Sequence, residues 1–258
     1  MKSILAMVMA LGLVASAEAK VVTQTVEYKD GDVVCEGYLA YDDAGTGKRP
    51  GVLVVHEWTG LGKYAKMRCE KLAGMGYIAF AADIYGKGVR PANPQDAGAE
   101  AGKYKGDSPL TRRRVNVALA QLRANPMVDT SRVAAIGYCF GGWVCLELAR
   151  SGAAINGIVG FHSALDSHDP ADAKNIKCKV LILNGGDDPF VGKEAVEAFQ
   201  KEMRDANVDW QFVAYGGAVH SYTNPDSGND NSKGAAYNER ADRRSWQAMQ
   251  DFFAEIFK

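Results

Sequence analysis

The sequence predicts an α/β fold, with a mainly parallel central sheet carrying helices on both faces. Two observations point there. Short β-rich runs alternate with helical patterns along most of the 258 residues, the mark of strand–helix–strand units. The run GVLVVH at residues 51–56 is apolar without interruption up to its last residue, as in a strand buried on both faces.

The elements follow in order. Residues 21–28 and 33–41 read as two strands separated by the turn signal Lys29-Asp30-Gly31-Asp32. After the strand at 51–56 comes a helix at 64–73, ended by Gly74 and Gly76, and a strand at 77–82. A helix at 110–124, a strand at 132–136 and a helix at 140–150 follow. Strands at 155–161 and 180–183, a helix at 193–205, a strand at 210–215 and a mostly helical 235–257 complete the chain. Two loops separate these elements. Residues 84–109 are rich in Gly, Pro and Ala and long enough for a lid or a substrate wall, and residues 221–234 read as a polar surface excursion.

The first nineteen residues read differently. Lys2 gives a positive start, residues 4–14 are apolar except for Gly12, and Ala15-Ser16-Ala17-Glu18-Ala19 offers a cleavage site after Ala19. Residues 1–19 are therefore expected to be a cleaved secretory signal, and residues 20–258 a single exported domain, periplasmic or secreted. The apolar run falls short of the roughly 20 residues that a span needs. No later stretch is long and apolar enough either, so no membrane partner is expected after cleavage.

Lys plus Arg total 30 against 31 Asp plus Glu, a formal net charge of −1 that gives no basis for a nucleic-acid partner. Five cysteines, Cys35, Cys69, Cys139, Cys145 and Cys178, are an odd number, so at least one thiol stays unpaired even in an oxidising compartment. Their spacing is not that of a zinc site, and no metal or organic cofactor is expected. Gly45-Thr46-Gly47-Lys48 lacks both the upstream glycine and the following Ser or Thr of a phosphate loop.

The chemistry concentrates at Gly137-Tyr138-Cys139-Phe140-Gly141-Gly142, between a buried strand and a helix. This is the setting of a nucleophile elbow, G-x-S-x-G, with cysteine in place of serine. A thiol at a helix N-terminus meets free amides and the positive end of the dipole, and the Phe140 amide is placed to donate to an oxyanion. Cys145 reads as a packing thiol. Of four histidines, His220 follows the last strand and precedes the last helix, where this fold delivers its base; His56 and His162 end strands, and His168 reads as a loop residue. The acid belongs after the strand at 180–183, where Asp187 and Asp188 compete and spacing does not separate them. The order nucleophile, acid, histidine is that of the α/β-hydrolases.

These residues resemble the dienelactone hydrolase family over almost the whole chain after residue 19. VVHEWTGL (54–61), AADIYG (81–86), GYCFGG (137–142), GGDDPFV (185–191) and AVHSY (218–222) carry the resemblance. It implies an α/β-hydrolase fold and a triad of Cys139, Asp188 and His220, with Asp188 chosen because it precedes Pro189-Phe190-Val191. It also implies that Glu57 gates the nucleophile and that the Trp58 amide is the second oxyanion donor. The family's two substrate-carboxylate arginines have no match, since Lys87 and Asn224 stand in those places. Tyr85, Lys87, Arg90, His162 and Tyr222 are the candidate substrate-binding side chains.

The expected activity is hydrolysis of a small carboxylic ester or lactone through a thioester acyl-enzyme. An acyltransferase on the same scaffold is one alternative. A non-catalytic binding or thiol redox protein that keeps the fold is another.

Overall fold

The two β-rich runs at the start pair as a hairpin, and every later strand joins them in one eight-stranded sheet. The structure, a computed structural model, describes residues 20–258; the expected signal at residues 1–19 lies outside the described residues. β1 (Val21–Asp30) and β2 (Val33–Asp42) are antiparallel about a turn in which Gly31 takes φ +60°. There follow β3 (Arg49–Val55), α1 (Lys63–Ala73), β4 (Ile78–Ala82), α2 (Pro94–Lys105) and α3 (Ser108–Ala124). The rest comprises β5 (Val128–Tyr138), α4 (Phe140–Arg150), β6 (Gly157–Phe161), β7 (Lys179–Gly185), α5 (Lys193–Asp205), β8 (Trp210–Tyr215) and α6 (Glu239–Ile256). The sheet order is β1-β2-β4-β3-β5-β6-β7-β8, antiparallel as far as β4 and parallel from there to β8.

The buried strands divide their side chains between two cores with a period of two. Leu53 and Val55, Val133 and Ala135, and Val180 and Ile182 face α2, α3, α4 and α5, where Tyr104, Leu119, Trp143 and Phe199 pack. Val52 and Val54, Ala134 and Ile136, and Leu181 and Leu183 face α1 and α6, where Leu72, Trp246 and Phe253 pack. Each such side chain contributes about 1.5–3 kcal/mol when fully buried, which is why these strands read as apolar without alternation.

Three departures from the sequence expectation are larger than a residue or two at an element's end. Residues 84–109 are not one irregular loop, because α2 lies within them. Asn93 caps it by accepting from the Asp96 amide, Pro94 opens its first turn, and Ala97, Ala101 and Tyr104 bury its inner face. Gly98 and Gly102 concealed it, each disfavouring a helix interior by about 1 kcal/mol, and tertiary burial outweighs them. β5 runs on to Tyr138 and delivers the chain directly to Cys139. α6 begins at Glu239, capped by Asn238; Ala235 is held instead by a parallel bridge to His220.

All five cysteines are free thiols, with Cys35, Cys69, Cys145 and Cys178 buried and only Cys139 partly exposed. Burial pushes the Cys69 and Cys145 thiols well above their ordinary range. Among the described residues no helix is long and apolar enough to cross a membrane, and no group of three or more His, Cys, Asp or Glu could hold a metal.

Candidate active site

Parallel strands end on the same side of a sheet, so β3, β5, β6, β7 and β8 deliver their following loops to one edge. Cys139 follows β5 in a left-handed backbone conformation, φ 56° and ψ −116°, and caps α4. Such strain costs about 1–3 kcal/mol and persists only where the surroundings fix it. Here the Cys139 amide donates to the Phe161 carbonyl at 3.0 Å, and the Cys139 carbonyl accepts from the Gly142 amide at 3.1 Å. A Cβ on Gly137 would lie 2.0 Å from the Gly141 oxygen, and one on Gly141 would lie 2.4 Å from the Val55 oxygen. Neither position tolerates a side chain. The Phe140 amide opens the helix, where no intrahelical acceptor is available to it.

His220 stands on the loop after β8, pinned by its own amide to the Gly234 carbonyl and by its carbonyl to the Ala236 amide, each at 3.1 Å. Its Nδ1 is 2.7 Å from Asp188 Oδ2. The Asp188 carboxylate is wholly buried and its other oxygen accepts from the Phe190 amide at 2.9 Å. Asp187 points elsewhere and accepts from the Gly217 amide at 3.1 Å. Burial alone would lower the His220 pKa; the bonds to Asp188 and Cys139 outweigh it and raise the value from 6.5 to about 10. The Phe190 ring stands edge-on to the imidazole with centroids 5.4 Å apart.

Glu57 follows β3. Ser221 Oγ donates to its Oε1 at 3.2 Å and Asn224 Nδ2 to its Oε2 at 2.9 Å. Burial raises its pKa, while these two bonds and the nearby His220 charge pull the other way. Ser221 adopts φ 53°, so the residue after the histidine is itself strained into this contact. The part that Ser221 and Asn224 play in holding Glu57 was not evident from sequence; their spacing after the histidine was the only available signal.

The remaining sequence candidates fall behind or beside this group. Tyr85 is buried, and its hydroxyl donates to the Trp58 carbonyl at 2.9 Å while its ring packs against Phe140, centroids 5.6 Å apart. It therefore braces both residues whose amides are the oxyanion candidates, and it does not line the cavity. His56 is buried, bonded through Nδ1 to the Glu57 carbonyl at 2.6 Å and through Nε2 to the Ile84 amide at 3.3 Å. Burial lowers its pKa to about 4, which keeps it neutral. His162 is wholly buried, 5.1 Å from the His220 ring centroid to centroid, and its Nε2 lies 2.7 Å from Thr223 Oγ1. Tyr222, also wholly buried, donates to the Leu183 carbonyl at 2.8 Å. Lys87 lies on the surface in an ion pair with Glu27. Arg90 is turned onto its own loop, donating to the Leu61 carbonyl at 2.7 Å and to Asp83 at 3.2 Å. None of the five candidates for substrate contact, Tyr85, Lys87, Arg90, His162 and Tyr222, lines the cavity that Cys139 opens onto.

Cys139, His220, Ser221 and Trp58 open onto a cavity of about 590 Å³. Its far walls come from Ala164 to Asp166 after β6 and from Phe190 and Val191 after β7. The first wall is anchored from beneath. Trp143 Nε1 donates to the Asp166 carbonyl at 3.0 Å, as does Arg150 at 3.2 Å, and Arg150 is clamped in two bonds of 2.8 Å to Glu202. His168 bonds to the Lys105 carbonyl outside this space.

Comparison with known proteins bears on the same region. The model of the dienelactone hydrolase family matches residues 35–257. A protein of Aquifex aeolicus, provisionally named a carboxymethylenebutenolidase, is 28% identical over 243 residues, covering 91% of this chain and 99% of its own. A solved structure named m3DLH superposes with a TM-score of 0.89 at 42% identity, covering 92% of this chain and 99% of its own. A dienelactone hydrolase-like promiscuous phosphotriesterase from metagenomic libraries superposes with a TM-score of 0.88, again at 42% identity and with the same coverage.

Proposed function

The chain belongs to the dienelactone hydrolase family and has its α/β-hydrolase fold, and from that premise we propose that it hydrolyses small carboxylic esters or lactones through a thioester on Cys139. The observation that carries this reading is the 2.7 Å contact of His220 with Asp188, on an imidazole that shares the cavity wall with Cys139.

In this mechanism the Cys139 proton passes to His220, whose bonds to Asp188 and Cys139 favour its charged form. The sulfur attacks the carbonyl carbon, and the Phe140 and Trp58 amides receive the developing oxyanion. Collapse breaks the bond to the alkoxy oxygen, which leaves with the proton from His220. Water, deprotonated by His220, then attacks the thioester, and the acid departs as the thiol is restored. Asp188 fixes the imidazole tautomer and stabilises its charged form. Glu57, held by Ser221 and Asn224, places a carboxyl group beside this machinery and biases the charge of His220.

The reading is tested by steady-state hydrolysis of short aryl esters, dienelactones and a neutral phosphotriester, with wild-type protein and Cys139→Ala. Loss of turnover in the variant, together with an acyl adduct on Cys139 in the wild type by mass spectrometry, supports it. Turnover that survives in Cys139→Ala overturns it. Residues 1–19 support a second proposal, export with cleavage after Ala19. It predicts an exported chain beginning at Lys20, and an uncleaved chain retained in the cytoplasm contradicts it.

A further inference from the structure

The chemistry of the cavity walls bears on what the site selects. Trp58, Ala164, Leu165, Phe190, Val191 and Ala235 make most of its surface. Phe190 is 66% exposed and Trp58 38%, and both meet at this opening. Large aromatic groups left in water beside a nucleophile mark a surface that an apolar ligand covers.

The charges around the cavity complete the picture. Among the described residues the wall holds two cations, each beside a carboxylate: the Lys105 ammonium lies 2.9 Å from Asp166, another wall residue, and the His220 imidazole lies 2.7 Å from Asp188. Three other cations nearby are engaged elsewhere: Lys87 pairs with Glu27, Arg90 is held by carbonyls and Asp83, and Arg68 pairs with Asp242. Asn224 is spent on Glu57. A carboxylate entering here loses its hydration and meets no unpaired guanidinium or ammonium in return.

We infer that the site selects uncharged esters with an apolar substituent of a size suited to about 590 Å³, and discriminates against esters that carry a carboxylate. The inference rests on the hydrolase reading above and names the substrate class for that same site.

The test compares kcat/KM for p-nitrophenyl hexanoate with that for the p-nitrophenyl half-ester of adipic acid, which extends a similar chain to a carboxylate. A charged group without its hydrogen-bonded partner predicts a preference for the neutral ester on the order of 10- to 100-fold. Asp166→Asn frees Lys105, while the bonds to the Asp166 carbonyl remain, and should narrow that ratio about 10-fold. Equal or faster turnover of the half-ester by the wild type overturns the inference while leaving the hydrolase reading intact. An Asp166→Asn ratio unchanged from wild type overturns the argument that this pair neutralises the wall. Absence of Cys139-dependent turnover of either ester by folded protein overturns the hydrolase reading, and the inference falls with it.

Discussion

Asp188 Oδ2 lies 2.7 Å from His220 Nδ1, whereas its neighbour Asp187 turns its carboxylate to the Gly217 amide at 3.1 Å. One peptide unit separates an imidazole-orienting acid from a loop-bracing one. Asp188→Asn should lower kcat/KM by roughly 10³- to 10⁴-fold, the penalty of a mis-set tautomer. Asp187→Asn should stay within about 3-fold of wild type, since it loses one exposed hydrogen bond of about 1 kcal/mol at most. Ester kinetics on the two variants, with circular dichroism to confirm folding, check the contrast.

The raised pKa of His220 has a consequence for stability. The folded protein keeps a proton up to about 10 that the unfolded chain releases near 6.5. The stabilisation is therefore complete below the unfolded value and is lost as pH rises through the folded one. Urea unfolding of wild type against His220→Gln should show the stability difference shrinking between neutral pH and about 10. A difference that is constant or grows over that window contradicts the assignment.

Glu57→Gln keeps a group able to bond Ser221 and Asn224 but removes the negative charge beside His220. The imidazolium should lose support, and the limb of the pH–rate profile belonging to His220 should move down by about half a unit to one unit. A purely packing role for Glu57 would change the rate without moving the limb.

Tyr85→Phe removes one hydrogen bond, that from the phenol to the Trp58 carbonyl at 2.9 Å. Loosening the loop that carries an oxyanion donor should lower kcat about 5-fold, the equivalent of about 1 kcal/mol, with KM little changed. Pre-steady-state measurement of the acylation burst would locate the loss in the chemical step.

Arg150 is wholly buried between Glu147 and Glu202, with contacts of 2.9 and 2.8 Å. Removing its charge strands the buried Glu202 carboxylate and leaves Glu147 with Arg112 alone, so Arg150→Ala should destabilise the fold by about 3–5 kcal/mol. Because Arg150 also holds the Asp166 carbonyl, the cavity wall should loosen too, raising KM for long acyl esters in whatever fraction remains folded. Chemical denaturation and KM along an acyl series measure the two effects.

Much of this protein is set by local sequence chemistry. The uninterrupted apolar run of β3 announces a strand buried on both faces, and the glycines around Cys139 announce a backbone passing too close for side chains. Both effects act within a few residues, so both are readable from the chain. The strained strand–helix elbow at Cys139 is legible for that reason, and so is the order of the three candidate triad residues.

Other features depend on what folding brings together. α2 forms against its own glycines because Tyr104 and Ala101 find a core to enter. Tyr85, His162 and Tyr222 sit in or beside telling segments, yet the two tyrosine hydroxyls and His162 Nε2 are claimed by Trp58, Leu183 and Thr223, partners 27 to 61 residues away. The neutrality of the cavity wall arises in the same way, from Lys105 meeting Asp166 across 61 residues. Strand and turn preferences are short-range properties of the backbone, so the sequence by itself determined the fold class and the elbow. Whether a charge is free or spent depends on its neighbours in space, and the tertiary structure alone decided that.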